Sequence, residues 1–184
     1  GEEGEEIISA QLPSLRVLDV CTGSGCIACA IASEYPAAKV LALDIADEAL
    51  RLAKENVEIL ELEDRVEVRK SNLLQSLSEE EQGSFDLLIS NPPYIPTDVI
   101  PQLMPEVQVF EPVEALDGKE DGLYFYRKIV EQSRDYLNPG GYLMFEIGYD
   151  QGKDVSEMMT DAGFSDVCVK KDLAGNDRVV TGML

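Results

Sequence analysis

Short apolar runs alternate with segments of helical periodicity along most of the chain. The apolar runs predict seven strands, at Arg16–Val20, Lys39–Leu43, Val66–Arg69, Phe85–Ser90, Tyr142–Ile147, Asp166–Lys170 and Arg178–Met183. Apolar positions three or four residues apart predict helices at Cys26–Ser33, Asp47–Leu62, Leu123–Leu137 and Gln151–Ala162. We expect Asp47 to cap the second helix and the turn residues Asn138–Gly141 to end the third. Strands and helices that alternate in this way predict an α/β domain, with a mostly parallel sheet and helices on both faces.

The length and composition favour one ordinary globular domain. The chain has 184 residues, of which 45% are hydrophobic and 28% are charged, so a single domain over residues 1–184 is expected. No apolar run has the length of a membrane span, and no signal peptide opens the sequence. The start, Gly1–Gln11, is an acidic lead-in to the first strand. We predict a cytoplasmic location and no membrane partner.

Charge and the lack of histidine narrow the chemistry further. The sequence has 36 acidic and 15 basic residues, and its net charge is −21. Nucleic-acid binding depends on Lys and Arg side chains that neutralise phosphates, so we expect no direct nucleic-acid partner. A protein substrate, in particular a basic one, suits this charge better. The chain contains no histidine, which excludes His-based triads and His metal ligands.

Two of the four cysteines, Cys26 and Cys29, have the C-x-x-C spacing of zinc ligands. No second pair and no histidine accompany them, so the sequence does not predict a four-ligand zinc site. The two residues fall in an apolar helix of small side chains, where we expect both to be buried by packing. No metal site is predicted.

Three segments at the ends of predicted strands are candidates for holding a cofactor, because ligands of such sheets bind beside the carboxyl ends. In the turn Asp19–Gly25, the glycines let the backbone approach a ligand, and the following helix leaves amide groups free. The carboxylate of Asp44 can accept both hydroxyls of a ribose. In the third segment, Asn72 can bond an adenine amine and Leu73 can cover its ring. The predicted cofactor residues are Asp19, Cys21, Thr22, Gly23, Ser24, Gly25, Asp44, Ile45, Asn72, Leu73 and Asn91.

The tetrapeptide Asn91–Tyr94 follows the fourth predicted strand and carries the candidate chemistry. The side-chain oxygen of Asn91 and the carbonyl of Pro92 can each accept a hydrogen bond from a planar –NH2 group. Prolines at 92 and 93 fix φ and stiffen the turn, and Tyr94 offers a flat face to a planar substrate group. A turn of purely structural importance is the alternative. We predict Asn91, Pro92 and Tyr94 as catalytic residues, and Pro93 as part of the same substrate-binding turn.

A dinucleotide-binding dehydrogenase is the main competing interpretation of the glycine turn. The segment Gly23–Ala28 approaches the G-x-G-x-x-G fingerprint, and Asp44 follows at about the expected distance. Dehydrogenases, however, have no use for Asn-Pro-Pro-Tyr after the fourth strand. Amino-group methyltransferases that use S-adenosylmethionine carry the tetrapeptide there, and Asp19 ahead of the glycines matches their form of the turn.

From about Arg16 onward the chain resembles the release factor glutamine methyltransferases of the HemK/PrmC type. Besides the segments above, the likeness rests on Phe110–Gly118, Asp121–Arg127, Phe145–Gly148 with Gln151, and Lys171–Arg178. The resemblance implies a Rossmann-like class I methyltransferase fold with a seven-stranded sheet, and S-adenosylmethionine as the cofactor. It also implies methyl transfer to the side-chain amide nitrogen of a protein glutamine, in the Gly-Gly-Gln motif of peptide chain release factors.

Three features depart from that family's pattern. Cys21 stands where members usually have the first glycine of the turn, and we expect it to fit if the position needs no positive φ. Leu73 replaces an aromatic residue that some members place over the adenine. The family's amino-terminal helical docking domain is not recognisable ahead of the first strand, so we expect a catalytic domain without it.

Other assignments stay open. The same turn would serve a methyltransferase that acts on a ribosomal-protein glutamine, or on an exocyclic amine of adenine or cytosine in nucleic acid, although the net charge opposes the latter. A non-catalytic module is the alternative from another class, and the intact Asn91–Tyr94 turn argues against it. We expect the loop Ile95–Asp121 to exclude water, Tyr124–Tyr126 to pack a helix and Ser78–Gly83 to be a solvated loop. Glu146 receives no role.

Overall fold

The protein is described by a computed structural model over residues 13–104 and 112–184. The acidic lead-in Gly1–Gln11 and the part of Phe110–Gly118 that precedes Pro112 lie outside the described residues, as does the middle of the predicted water-excluding loop. Within the described ranges, no helix is long and apolar enough to cross a membrane.

Seven strands form one sheet in the described part of the chain. They are Leu15–Val20 (β1), Ala38–Asp44 (β2), Val66–Lys70 (β3), Phe85–Ser90 (β4), Leu137–Glu146 (β5), Ser165–Lys171 (β6) and Asp177–Met183 (β7). Their order across the sheet is β3-β2-β1-β4-β5-β7-β6. Strands β1 to β5 are parallel, and β7 is antiparallel to both β5 and β6. The predicted mostly parallel, seven-stranded sheet is confirmed.

In residues 13–104 and 112–184, five α-helices connect the strands, at Cys26–Glu34 (α1), Asp47–Ile59 (α2), Val113–Leu116 (α3), Tyr124–Tyr136 (α4) and Gly152–Asp161 (α5). Single 3-10 turns lie at Glu79–Glu81 and Ile100–Gln102. Helices α1 and α2 share one apolar cluster with the sheet, and α4 and α5 share a second. The two clusters cover opposite faces, so the prediction of helices on both faces is confirmed.

Alternation along the strands produces the two faces. Val17 and Val40 are buried against α1 and α2, whereas their neighbours Leu18 and Leu41 are buried in the other cluster, beside α4 and α5. Successive side chains of a strand point to opposite faces, so a central strand that is covered on both sides must be apolar throughout. This requirement explains the short continuous apolar runs in the sequence.

The turn residues Asn138–Gly141 follow the end of α4, as predicted, but they also belong to the next strand. The helix ends at Tyr136, one residue before the predicted end at Leu137, but Asn138–Gly141 lies within the bounds of β5. These residues form an irregularity in which Leu137 pairs with Phe85 and Tyr142 pairs with Leu87. Gly140 has a φ of 82°, which only glycine adopts readily, and its amide donates to the Leu184 carbonyl at 2.9 Å. Pairing with the end of the chain therefore keeps the turn residues within the sheet.

One local prediction was wrong and another was only partly right. Asp47 is the first helical residue of α2 and not its cap, because Ala46 occupies the cap position and no side chain bonds there. The Asp47 carboxylate instead pairs with the Lys70 ammonium at 2.6 Å. In the acidic run, Glu81 is half-buried and accepts hydrogen bonds from Arg69 at 3.1 Å and 3.2 Å, so this run is more than a solvated loop.

Candidate active site

The candidate site forms where the sheet changes direction. From β1 the chain moves outward through β2 to β3, and it then returns to place β4 on the other side of β1. The carboxyl ends of these strands are adjacent, because Val20 is in register with both Leu43 and Ser90. Open α/β sheets bind ligands at such a reversal. The predicted glycine turn, Asp44 and the Asn91–Tyr94 turn therefore come together at one edge.

The glycine turn is tied to the end of β2. The Gly23 amide donates to Asp44 Oδ2 at 2.8 Å, and the Thr22 amide donates to the Leu43 carbonyl at 2.9 Å. Gly25 caps α1 with a φ of 79°, and a Cβ there would lie 3.2 Å from the Cβ of Ala53. Glycine is thus required at position 25 both for its backbone angle and for its contact with α2. At Gly23 a Cβ would meet nothing within 4 Å, which leaves that part of the turn open to a ligand.

Asp19 lies beneath the turn. Its side chain is fully buried, and its Oδ2 accepts hydrogen bonds from Thr22 Oγ1 at 2.5 Å and from the Ala28 amide at 3.2 Å. Burial raises the pKa of this carboxyl to about 7, although the two hydrogen bonds oppose the rise. Its Oδ1 has no hydrogen-bond partner among the described residues. Asp19 therefore joins the turn to the start of α1, and its predicted contact with a cofactor stays a prediction.

Cys21 and Leu73, the two departures from the family pattern, both have left-handed backbone conformations. Their φ values are 59° and 52°. The condition under which we expected Cys21 to fit is wrong, because the position does require a positive φ. Such a conformation costs a residue with a Cβ roughly 1–2 kcal/mol, and strained residues of this kind concentrate at functional sites. Desolvation raises the pKa of the Cys21 thiol to about 12, and the nearby charges of Asp44 and Asp19 add to the rise.

The remaining predicted cofactor residues lie along the same edge. Asp44 Oδ1 accepts a hydrogen bond from the Ala46 amide at 3.0 Å. With one amide on each oxygen, the carboxylate keeps further lone pairs for a ligand. Ile45 is 57% exposed beside it. Asn72 is exposed and Leu73 is half-buried against the core, directly after the carboxyl end of β3. Their predicted contacts with a cofactor stay predictions.

The Asn91–Tyr94 turn is anchored at its two ends. Before it, buried Ser90 donates from Oγ to the Val20 carbonyl at 2.6 Å. After Pro92, which is buried, Tyr94 packs against the core and its carbonyl accepts a hydrogen bond from Gln151 Nε2 at 3.0 Å. Asn91 is exposed, and its side chain makes no hydrogen bond within residues 13–104 and 112–184. The exposed Asn91 side chain thus keeps its hydrogen-bonding capacity, as far as the described residues show, at the carboxyl end of β4.

Gln151 is the residue of this site to which sequence reasoning gave no role. It is buried at the start of α5, and its amide bonds to Tyr94, Gly122, Gly148 and Tyr126. In the sequence, Gln151 was noted only for its position three residues after Gly148, which contributed to the family resemblance. That position does not indicate which residues its side chain contacts.

Two other predictions about side chains were partly right. Cys29 is buried in α1 as expected, but Cys26 is exposed, with its Sγ 3.1 Å from Ser24 Oγ. Position 26 is the first residue of the helix and points away from the sheet, which the apolar neighbours concealed. Of the residues Tyr124–Tyr126, which we expected to pack a helix, Tyr126 is completely buried and makes an edge-to-face contact with Phe145. Tyr124 is 40% exposed.

A cavity of about 540 Å³ lies at the opposite, amino-terminal edge of the sheet. Its four basic lining residues already have partners. Lys39 donates to the Asp64 carbonyl and Arg65 to the Ala32 carbonyl, while Arg69 pairs with Glu67 and Glu81 and Arg16 lies over the Phe85 ring. Because ligands of open α/β sheets bind at the carboxyl edge, we assign no ligand to this cavity.

The sheet order and the residues at the β1/β4 reversal define a Rossmann-like methyltransferase fold of class I. The chain belongs to the methyltransferase small domain family, whose model matches residues 3–103, more than half of its length.

Relatives and solved structures agree with this membership. The chain is 47% identical over 165 residues to a release factor glutamine methyltransferase of Clostridium botulinum, covering 90% of this chain and 58% of that relative. With the release factor glutamine methyltransferase of Geobacter sulfurreducens it shares 43% identity over 180 residues, 98% of this chain and 62% of that relative. The chain thus spans about three fifths of the length of these relatives. A methyltransferase from Pyrococcus furiosus has the same fold, with a TM-score of 0.67 and 22% identity over 98% of this chain and 81% of its own.

Proposed function

We propose that this protein transfers a methyl group from S-adenosylmethionine to the side-chain amide nitrogen of a protein glutamine, in the Gly-Gly-Gln motif of peptide chain release factors. The observation that carries the proposal is the position of the Asn91–Tyr94 turn, next to the glycine turn and Asp44 at one sheet edge. The similarity to release factor glutamine methyltransferases supports the choice of substrate.

The crevice residues fit the proposed cofactor. Asp44 keeps lone pairs for two ribose hydroxyls, and exposed Ile45 and Asn72 flank the place for an adenine. Gly23 leaves open space for a ligand against the backbone. When bound, S-adenosylmethionine supplies an electrophilic methyl group on a sulfonium. Fully buried Asp19 fixes the turn through its bonds to Thr22 and Ala28.

The chain's own residues would orient the glutamine. An amide nitrogen is a poor nucleophile because its lone pair is delocalised into the carbonyl. If the Asn91 side-chain oxygen and the Pro92 carbonyl accept its two N–H groups, the lone pair is directed at the methyl group. The new N–C bond would form as the methyl–sulfur bond breaks and leaves a neutral thioether. The methylated nitrogen is acidic and would release its proton, finally to solvent, so no histidine base is required before attack. Fixed orientation of this kind can lower a barrier by up to ~7–11 kcal/mol.

The net charge of −21 supports a protein partner and opposes a nucleic-acid one. A basic substrate surface would be attracted to this chain over several ångströms, whereas a phosphate backbone would be repelled. The proposal places the reaction in the cytoplasm, with neither nucleic acid nor a membrane as a direct partner.

A methyl-transfer assay with a panel of substrates tests the proposal. Purified protein and labelled S-adenosylmethionine are incubated with a release factor, with the same factor carrying Gly-Gly-Asn in place of Gly-Gly-Gln, and with an adenine-containing DNA duplex. We expect label in the first sample only. Label in the Gly-Gly-Asn factor would mean a different residue is methylated, and label in the duplex would favour the nucleic-acid alternative.

A further inference from the structure

The Asn91–Tyr94 turn has few means of holding its own shape. Pro92 and Pro93 lack an N–H, so the middle of the turn donates no backbone hydrogen bond. The Asn91 side chain has no partner among the described residues. Ser90 anchors the entry to the turn through its bond to the Val20 carbonyl. The position of the two proposed acceptors therefore depends on what holds the exit, at Tyr94.

Gln151 bonds to the exit of the turn and uses its complete hydrogen-bonding capacity. Its Nε2 donates to the carbonyls of Tyr94 at 3.0 Å and Gly122 at 3.3 Å. Its Oε1 accepts from the Gly148 amide at 3.0 Å and from the Tyr126 hydroxyl at 3.3 Å. A side-chain amide has two donors and two acceptor sites, so all four are occupied. The Gly148 N–H also fixes which amide atom is oxygen.

Two glycines close the space around the same carbonyl. A Cβ on Gly122, whose φ is 73°, would lie 2.4 Å from the Tyr94 oxygen and 2.8 Å from Gln151 Nε2. A Cβ on Gly118 would lie 2.8 Å from the Tyr94 Cα. The segment 118–122 thus packs directly on Tyr94, and Gln151 bonds to both. Beyond Tyr94, the amide of Ile95 donates to the Leu116 carbonyl at 3.0 Å.

We propose that Gln151 is a positioning residue for methyl transfer, which holds the Tyr94 carbonyl and thereby fixes the Asn91 and Pro92 acceptors. The inference rests on the proposed function and deepens it. Gln151 is buried, and it joins the loop after β5 to the turn after β4 across 57 residues of sequence. A displacement of about 1 Å in reacting groups costs roughly 100-fold in rate, so loss of this bond should lower turnover and leave cofactor affinity almost unchanged.

The variant Gln151→Glu tests the inference with little change in shape. It keeps an acceptor for the Gly148 amide but removes the donors to Tyr94 and Gly122. We expect kcat to fall about 10- to 100-fold, with the Kd for S-adenosylmethionine changed less than about threefold. Gln82→Glu is the matched control, because it adds the same charge at an exposed residue. Gln82 precedes β4, at the end of that strand opposite to the Asn91–Tyr94 turn. It should retain wild-type turnover.

Hydrogen exchange provides a readout that does not depend on the substrate. Peptides that contain Ile95 and Thr97 should exchange faster in Gln151→Glu than in Gln82→Glu, because both amides bond to the 116–119 segment behind Tyr94. Peptides from β2 should be unchanged. If wild-type protein fails to methylate the release factor while this exchange difference appears, the proposed function is wrong, and the part of the inference that stands is that Gln151 holds the Tyr94 end of the turn.

Equal kcat in the two Glu variants, or an unchanged exchange rate at Ile95 and Thr97, would overturn the inference. A parallel loss of cofactor affinity and turnover would also overturn it, since that outcome indicates general damage. If Gln151→Glu does not fold, Gln151→Asn is judged by the same criteria. Its amide is one methylene shorter and cannot reach both Gly148 and Tyr94.

Discussion

The two sides of the candidate active site are held by different means. On the cofactor side, the glycine turn and Asp44 follow adjacent strands and bond directly to each other, through the Gly23 amide. On the substrate side, the Asn91–Tyr94 turn depends on Gln151 and Gly122, which belong to loops far along the sequence. The difference indicates that the two functions, cofactor affinity and turnover, can be damaged separately.

Asn91→Ala should have the largest effect. The variant removes one of the two proposed acceptors for the glutamine –NH2 group, and loss of one oriented hydrogen bond of this kind costs about 10²- to 10³-fold in kcat. Its cofactor Kd, measured by calorimetry, should change less than about threefold. Asp98→Ala, at an exposed residue of the same segment, is the control and should behave as wild type. Equal loss of affinity and turnover in Asn91→Ala would contradict the separation.

Asp44→Ala should weaken binding on the cofactor side of the site. It removes a charged acceptor for the ribose hydroxyls and also the partner of the Gly23 amide, and hydrogen bonds to charged groups contribute about 1.5–3 kcal/mol each. The Kd for S-adenosylmethionine should therefore rise about 10- to 150-fold. Asp47→Ala, which removes an exposed carboxylate paired with Lys70, should leave the Kd unchanged. An unaltered Kd in Asp44→Ala would remove this residue from the cofactor site.

Gly122→Ala should reduce turnover through contact with Tyr94. A methyl group there would be forced against the Tyr94 carbonyl, and the displaced turn should lower kcat about 10-fold without a matching change in cofactor Kd. Gly175→Ala is a control for backbone strain alone, because its φ of 89° is similar and a Cβ there meets nothing within 4 Å. If both variants reduce kcat equally, strain and not contact is responsible.

The smallest effect is a pH dependence of stability from Asp19. Its pKa is raised from an ordinary 3.8 to about 7 in the folded state, so the folded state keeps a proton that the unfolded state loses. The free energy of unfolding should therefore fall as pH rises between those values. Asp19→Asn has no such proton, and its melting temperature relative to wild type should be about 4 °C or more higher at pH 8 than at pH 5. A constant difference across this range would contradict the raised pKa.

The sequence predicted the features that are determined by residues close together along the chain. Strand and helix alternation, the glycine turn and Asp44 are local patterns, and their places at adjacent strand ends follow from parallel order alone. Cys21 shows the limit of such reasoning, since its left-handed conformation is imposed by the turn and not by its own preference. Gln151 shows a second limit, because its bond to Tyr94 spans 57 residues and no local pattern identifies its partner. Asn138–Gly141 lies within the sheet through contacts with Asp86 of β4 and with Leu184, which no local pattern indicates.

Tandem mass spectrometry of a release factor after incubation with this protein and S-adenosylmethionine tests the central claim most directly. The account predicts one added methyl group, located on the glutamine side chain of the Gly-Gly-Gln motif and missing from the Asn91→Ala sample. A methyl group on any other residue, or an unmodified glutamine in a sample whose protein binds the cofactor, would contradict it.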